Sequence, residues 1–304
     1  MVSRARGAAL GVLADRVLGE PPARLHPVVG FGHAMTAVER RTYDDRRRAG
    51  VAHAAVGLAL GGAAGWAVRS TAVASWSAVA GRSLGEAASA VGDALDAGDL
   101  ATARERLPAL VGRDPSDLDE GEVARAVVES VAENTVDAVV APVLWAAAAG
   151  APGALGHRAV NTMDAMVGHR NDRYVRYGWA AARLDDLAAW VPARVTAALV
   201  AACRPRSART VWHVVRRDAP AHPSPNSGVA EAAFAAALGV RLGGPSRYGD
   251  RVEGRPRLGD GRPVAPHDIA RAVRLSHDVG LALAGSLVAV DALAGGRRGA
   301  RGRA

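Results

Sequence analysis

The chain has 304 residues, 49% of them hydrophobic but only 4% aromatic, and its +8 formal charge rests on arginine, since it contains no lysine. That composition excludes a lysine-dependent phosphate loop and a Schiff base to pyridoxal phosphate, and the single Cys203 excludes an intramolecular disulfide or a multi-cysteine metal site. The arginines gather at 40–48, 203–217 and 297–303 beside apolar runs, not along one face with interleaved aromatics, which argues against nucleic acid and matches the positive-inside pattern of a membrane protein.

In chain order, residues 7–19 predict a short helix, and Pro21, Pro22, Pro27, Gly30 and Gly32 predict a fixed loop in which His26 is either a hydrogen-bonder or a ligand. A helix is expected from Gly32 to Arg48. Val51–Val68 is nearly uncharged; at ~1.5 Å per residue it falls just short of a ~30 Å hydrocarbon core. Gly57, Gly61 and Gly65 form a small-residue stripe suited to close helix approach. After Arg69 the apolar pattern continues as one tilted helix or as two shorter ones. Residues 82–107 read as two amphipathic helices separated by a turn at DAGD.

The next helix is chemically loaded. Ser116 or Asp117 is its expected cap, and Glu122, Glu129, Glu133 and Asp137 are spaced seven, four and four apart, on one face. Stacked carboxylates require a cation, either the arginines of 170–183 or Mg²⁺, with Asn134 nearby. Pro142 is the expected kink of the apolar continuation.

The densest polar stretch runs from Asn161 to Asp186. It mixes Asn161, Asp164, His169, Arg170, Asn171, Asp172, Arg173 and Arg183 with Met163, Tyr174 and Tyr177, as a phosphate-and-metal site at the edge of an apolar body would, or else a salt-bridged loop. A further apolar run, 187–203, contains Arg194. In HPSPNSG, Pro223 and Pro225 fix a turn that projects His222, Ser224, Asn226 and Ser227 ahead of a helix starting near Gly228. RVEGRPRLG predicts a small β-hairpin near 250–260, and a last apolar helix leads to a basic tail, disordered from about 296.

Taken together and in this order, LADRVLGEPPARLHPVVGFG, ESVAENTVD, NTMDAMVGHRN, ARLDD and HPSPN resemble the adenosylcobinamide-phosphate synthase family of cobalamin biosynthesis (CobD/CbiB). The likeness covers nearly the whole chain and is weakest at 51–107 and 246–264. It implies an all-α, polytopic membrane bundle with amphipathic interfacial helices and cytoplasmic polar loops, forming one domain over 1–304. It further implies a multi-pass protein of the inner (cytoplasmic) membrane with its active site on the cytoplasmic side. The implied reaction is an ATP- and Mg²⁺-dependent ligation joining aminopropanol, or its O-phosphate, to the propionate carboxyl of adenosylcobyric acid. Its partners would be that corrinoid, the amine, the lipid bilayer and other corrin-pathway enzymes, with no nucleic acid.

Roles at the family-matching positions follow from residue chemistry. Glu129, Glu133, Asp137, Asp164 and Asp172 form the expected metal-ligand pool, Asp164 and Asp172 also counting as catalytic. Arg170, Arg173 and Arg183 would clamp phosphates. His169 or His222 would take the proton of the attacking amine. Asn134, Asn161, Asn171, Ser224 and Asn226 would orient substrate oxygens. Two other readings share the helical body: a Mg²⁺-dependent membrane prenyltransferase, whose paired aspartate-rich motifs are not cleanly present, and a small-molecule transporter, for which no matching pair of broken helices is seen.

Overall fold

The computed structural model describes residues 2–22, 26–112, 114–248 and 251–301, with side chains described except at 245–248, 251–253 and 296–301. It is 77% helical. The helices, in chain order, begin with α1 (Arg4–Leu18), α2 (Pro27–Thr42), α3 (Arg47–Val68), α4 (Thr71–Ala78), α5 (Gly81–Asp96) and α6 (Leu100–Arg106). They continue with α7 (Glu120–Thr135), α8 (Ala141–Val167), α9 (Trp179–Ala188), α10 (Trp190–Cys203), α11 (Ala208–Asp218), α12 (Ser227–Leu238) and α13 (His267–Arg301). Three strands, β1 (Val240–Tyr248), β2 (Arg251–Leu258) and β3 (Arg262–Pro263), lie between α12 and α13. The chain divides into two compact units, each built from separate segments. The first comprises Met1–Ala80, Asp137–Ala189 and Leu283–Ala304; the second comprises Gly81–Val136 and Trp190–Ala282.

In the first unit α3 packs on α8 along the glycine stripe. A Cβ on Gly57 would lie 2.1 Å from the Met163 sulfur, one on Gly61 2.6 Å from the Ala159 Cβ, and one on Gly65 2.4 Å from the Ala151 carbonyl oxygen. At Gly61 and Gly65 the obstacle includes backbone and at Gly57 it is the Met163 and Met35 side chains, so the stripe sets the helix approach. Beside it Met35, Val160, Met163, Val167, Tyr177 and Ala181 form a buried core. The expected loop at Pro21–Gly32 is shorter than its proline content suggests: α2 starts at Pro27, where proline's missing N–H costs nothing. His26 caps that helix, its Nδ1 accepting from the Val28 N–H at 3.2 Å while Nε2 sits 3.0 Å from Glu20. It is the hydrogen-bonder of the two sequence alternatives. Beyond Arg69 the chain forms a separate short helix, α4.

The expected kink at Pro142 is displaced. Pro142 sits in the first turn of α8, after a π-helical turn at Val136–Val140, and the helix breaks instead at Gly150 (φ 72°, ψ −152°), two residues before Pro152. Glycine reaches that left-handed φ without a Cβ clash, so the break falls there.

In the second unit α5 and α6 are the expected amphipathic pair, with Gly98 (φ 74°) in the turn and Leu84, Ala88, Val91 and Leu95 buried along α5. The cap of α7 is Asp119, three residues after Ser116. Asp119 and Glu122 form a reciprocal capping box, so Glu122 serves the helix end and not the carboxylate row. A hairpin is present but not within RVEGRPRLG, as was expected: RVEGRPRL forms one strand, β2, which pairs antiparallel with β1, while β3 adds parallel to β1 in the order β2-β1-β3. The pairing shifts register between Leu242 and Gly244, a bulge around Gly243 (φ 76°).

Among the described residues, three helical stretches are long and apolar enough to cross a membrane, Arg47–Val68, Glu120–Val167 and His267–Gly295, or four if the bent pair α9–α10 is one span. Much of two of them is uncovered, 28% of the α3 window and 22% of the α13 window being buried. Leu58, Leu60 and Trp66 on α3 and Val290 and Leu293 on α13 are exposed. The helix of α13 runs through Arg301 where a disordered tail was expected from about 296; residues 302–304 lie outside the described residues.

Candidate functional site

The strongest concentration of buried polar chemistry lies in the second unit, where α7, the HPSPNSG turn, α12 and the β-bulge meet. Gly243 is held from both sides by α7: its N–H donates to Glu129 Oε1 at 2.9 Å, and its carbonyl accepts from the Arg125 guanidinium. Arg125 also stands 3.7 Å from Glu129, one turn along the helix. Arg125 therefore meets Glu129 from the same helix. One turn further, Glu133 accepts from the Ser227 hydroxyl at 2.7 Å.

The prolines prevent the turn from becoming helix, and Ser224 closes it by accepting from the N–H groups of Asn226 (3.3 Å) and Ser227 (3.1 Å). Asn226 is buried and its Oδ1 accepts from Arg194 at 2.9 Å, which gives the arginine of the apolar α10 an interior partner. His222 Nδ1 accepts from the Ser224 N–H at 3.1 Å, leaving Nε2 3.6 Å from Glu231 Oε1. The Nδ1 contact places the proton on Nε2, which points toward Glu231 but lies beyond hydrogen-bond distance. Burial, foremost, holds His222 below the ordinary histidine range, so the ring is neutral at pH 7. Glu231 is fully buried on α12, with Arg255 4.0 Å away.

The Asn161–Asp186 stretch, in the first unit, is built differently. Met163, Tyr174 and Tyr177 pack into or against the core under it, so their interleaving reflects burial. Arg173 pairs with Glu39 at 3.0 Å and stacks over Tyr43, while Tyr174 donates its hydroxyl to the same Glu39 oxygen at 2.9 Å. Tyr177 bonds His53 at 2.9 Å. Arg183 stands 3.6 Å from Asp186, and Asn161 donates to Asp185 at 3.3 Å. Asn171 accepts from the Tyr174 N–H at 2.9 Å. His169, Arg170 and Asp172 are exposed beside it. Asp164 and Asp137 also belong to this unit, whereas Glu129 and Glu133 belong to the second. Asn134 donates to Ser130 of its own helix at 3.0 Å.

Comparison with known proteins now fixes the kinship. The family model described as CobD/Cbib protein matches residues 8–276. A cobalamin biosynthesis protein CobD from Mycobacterium tuberculosis is 50% identical over 295 residues, covering 91% of this chain and 92% of its own. The chain belongs to the CobD/CbiB family. Similarly named relatives from Chromobacterium violaceum and Geobacter metallireducens are 45% and 43% identical, covering 88% and 84% of this chain and 90% and 86% of their own. No solved structure matches it.

In this CobD/CbiB chain, no three His, Cys, Asp or Glu side chains among the described residues are grouped to hold a metal unaided. Mg²⁺ does not require that: it binds through one or two carboxylates while phosphate oxygens and water complete its shell. Glu129 and Glu133 are oxygen donors one turn apart on α7, the first engaged by Arg125 and the Gly243 N–H and the second by the Ser227 hydroxyl. Sequence reasoning missed Glu231, Arg255 and Arg125. A glutamate inside the otherwise apolar AEAAFAAAL was the available signal for Glu231, because an acid at the centre of a buried helix requires a reason.

Proposed function

We propose that this CobD/CbiB protein acts in cobalamin biosynthesis as a ligase. It joins aminopropanol, or its O-phosphate, to the propionate carboxyl of adenosylcobyric acid, giving adenosylcobinamide or its phosphate at the expense of ATP. The observation that carries the reading is the near full-length kinship with cobalamin biosynthesis proteins. The buried acid, histidine and amide cluster beside the β-bulge gives that kinship a chemical locus.

A free carboxylate and an amine do not condense usefully in water, so the carboxyl must first be activated as an acyl phosphate or acyl adenylate. Mg²⁺, when bound with the nucleotide, neutralises phosphate charge. Glu129 and Glu133 are the residues proposed to hold it. Arg170 and Arg183, exposed in the first unit, are available to phosphate-bearing substrate, whereas Arg173 is committed to Glu39. His222 spends its Nδ1 lone pair on the Ser224 N–H, so we assign it to holding the turn and give the proton-accepting role to the exposed His169. Asp172, exposed next to it, and Asp164 are proposed to assist there. Asn226 and Ser224 fix the turn from which substrate oxygens would be met.

The uncovered apolar faces of α3 and α13 support placement as a multi-pass protein in the cytoplasmic membrane, because faces of this kind are stable against lipid and costly against water. The arginine groups at 40–48, 203–217 and 297–303 then mark the cytoplasmic side.

The test is a mass assay with detergent-purified protein, adenosylcobyric acid, ATP, Mg²⁺ and each amine in turn. A product of the amide-condensed mass that needs ATP and is lost on chelation is expected. Intact, folded protein giving no product with either amine would sink the ligase reading.

A further inference from the structure

A second feature of the same unit is a cleft of about 300 Å³ on the other side of the β-bulge, lined among others by Arg125, Arg241, Arg257, Gly243, Gly244 and Glu122. From this geometry we infer that the cleft binds a phosphate group of a substrate.

The sheet itself brings the arginines together. Leu242 and Leu258 are register partners and both are fully buried, so the period-two alternation of the strands sends Arg241 and Arg257 to the opposite face. Among the described residues neither guanidinium has a hydrogen-bond or ion-pair partner, while most arginines around them do. Two unpaired forks on one wall suit phosphate oxygens, which guanidinium binds bidentately. The backbone between them is bare. Gly243 and Gly244 both have positive φ, and a Cβ on Gly244 would stand beside an Arg125 guanidinium nitrogen at 3.4 Å.

The acids of the cleft do not cancel this charge. Asp119 and Glu122 are engaged in the capping box at the positive end of α7, and Glu129 is matched by Arg125 and the Gly243 N–H. The surplus positive charge rests on Arg241 and Arg257. The inference deepens the ligase reading and rests on it only for the source of the phosphate, a nucleoside triphosphate or a phosphorylated amino alcohol.

Arginine footprinting tests it on the intact, detergent-purified protein. Phenylglyoxal labelling, read by peptide mass spectrometry, is run without ligand and with ATP, aminopropanol O-phosphate or free aminopropanol. Arg241 and Arg257 should label in the free protein and be protected by at least one phosphate, but not by the free amine. Protection by ATP alone assigns the nucleotide, and protection by the amino alcohol phosphate alone assigns that substrate. The R241Q/R257Q double variant, checked for an unchanged unfolding midpoint, should bind the protecting ligand at least about tenfold more weakly, as loss of charge-assisted bonds requires. No protection by either phosphate, or protection confined to Arg170 and Arg183, overturns the inference. The amide assay run in parallel separates the two proposals. Product without protection removes the cleft alone, whereas protection without product removes the ligase reading and leaves the cleft.

Discussion

Two stretches of this chain are alike in composition and opposite in construction. Asn161–Asp186 and the region from His222 to Glu231 both mix histidine, asparagine and acids with small apolar residues. In the first, Met163 and Tyr177 are buried while His169, Arg170 and Asp172 face outward, so the apolar residues make the core and the polar ones cover it. In the second the polar residues themselves are inside: His222, Asn226, Ser227 and Glu231 are all buried. Burying such groups costs free energy unless they are partnered, so a fold that does so is constrained at those positions. Polar density alone does not separate a surface from a site. Burial does.

The sharpest way to break this contrast is to remove Glu231, the fully buried acid of the second stretch. Glu231→Ala should lower stability by about 1–3 kcal/mol, the usual cost of leaving buried polar neighbours without a partner. Thermal unfolding in detergent reads this, and a small shift would mean that His222 and Arg255 do not depend on Glu231. Glu133→Gln keeps shape and an acceptor for the Ser227 hydroxyl while removing charge. If the α7 carboxylates support a developing or phosphate-borne charge, kcat for amide formation should fall about 100-fold with an unchanged unfolding midpoint. Equal activity would remove Glu133 from the site.

A subtler effect comes from His222. Burial lowers its pKa in the folded protein, so the unfolded chain binds the proton more readily. The contribution to stability is therefore present above the unfolded value, near 6.5, and is lost as pH falls below it. The unfolding midpoint should drop between pH 7.5 and 5.5, and His222→Gln should flatten that slope; an unaltered slope would place the titration elsewhere. Smallest of all is Arg173→Gln in the exposed stretch. Its guanidinium is exposed and the buried Glu39 keeps the Tyr174 hydroxyl when it is removed, so only a small drop in the unfolding midpoint is expected. A large drop would show that the outer stretch is as tightly specified as the inner one.

Much of the fold is legible in the residues. The glycines at 57, 61 and 65 announce a close helix contact, the DAGD turn separates two amphipathic helices, and RVEGRPRLG marks β-structure, though as one strand and not a hairpin of its own. These are local signals, in which one residue type satisfies one geometric need. The site is legible only in part. Glu129, Glu133, His222, Ser224 and Asn226 fall in one unit, but the acid spacing could not show that a unit boundary at Val136 puts Asp137 in the other. Arg241 and Arg257 carried no sequence motif at all. Their relation arises from strand register, which pairs residues distant in the chain and sets which face each occupies.

By itself, then, the sequence determined the helical class, the apolar runs, the rigid HPSPNSG turn and the family resemblance. All of these follow from periodicity, backbone restriction and residue order. Tertiary structure decided which polar residues are buried, which arginine answers which acid, and where glycine leaves space beside a guanidinium. Those outcomes depend on packing between segments far apart in the chain, where desolvation and steric exclusion act on neighbours that no local pattern names.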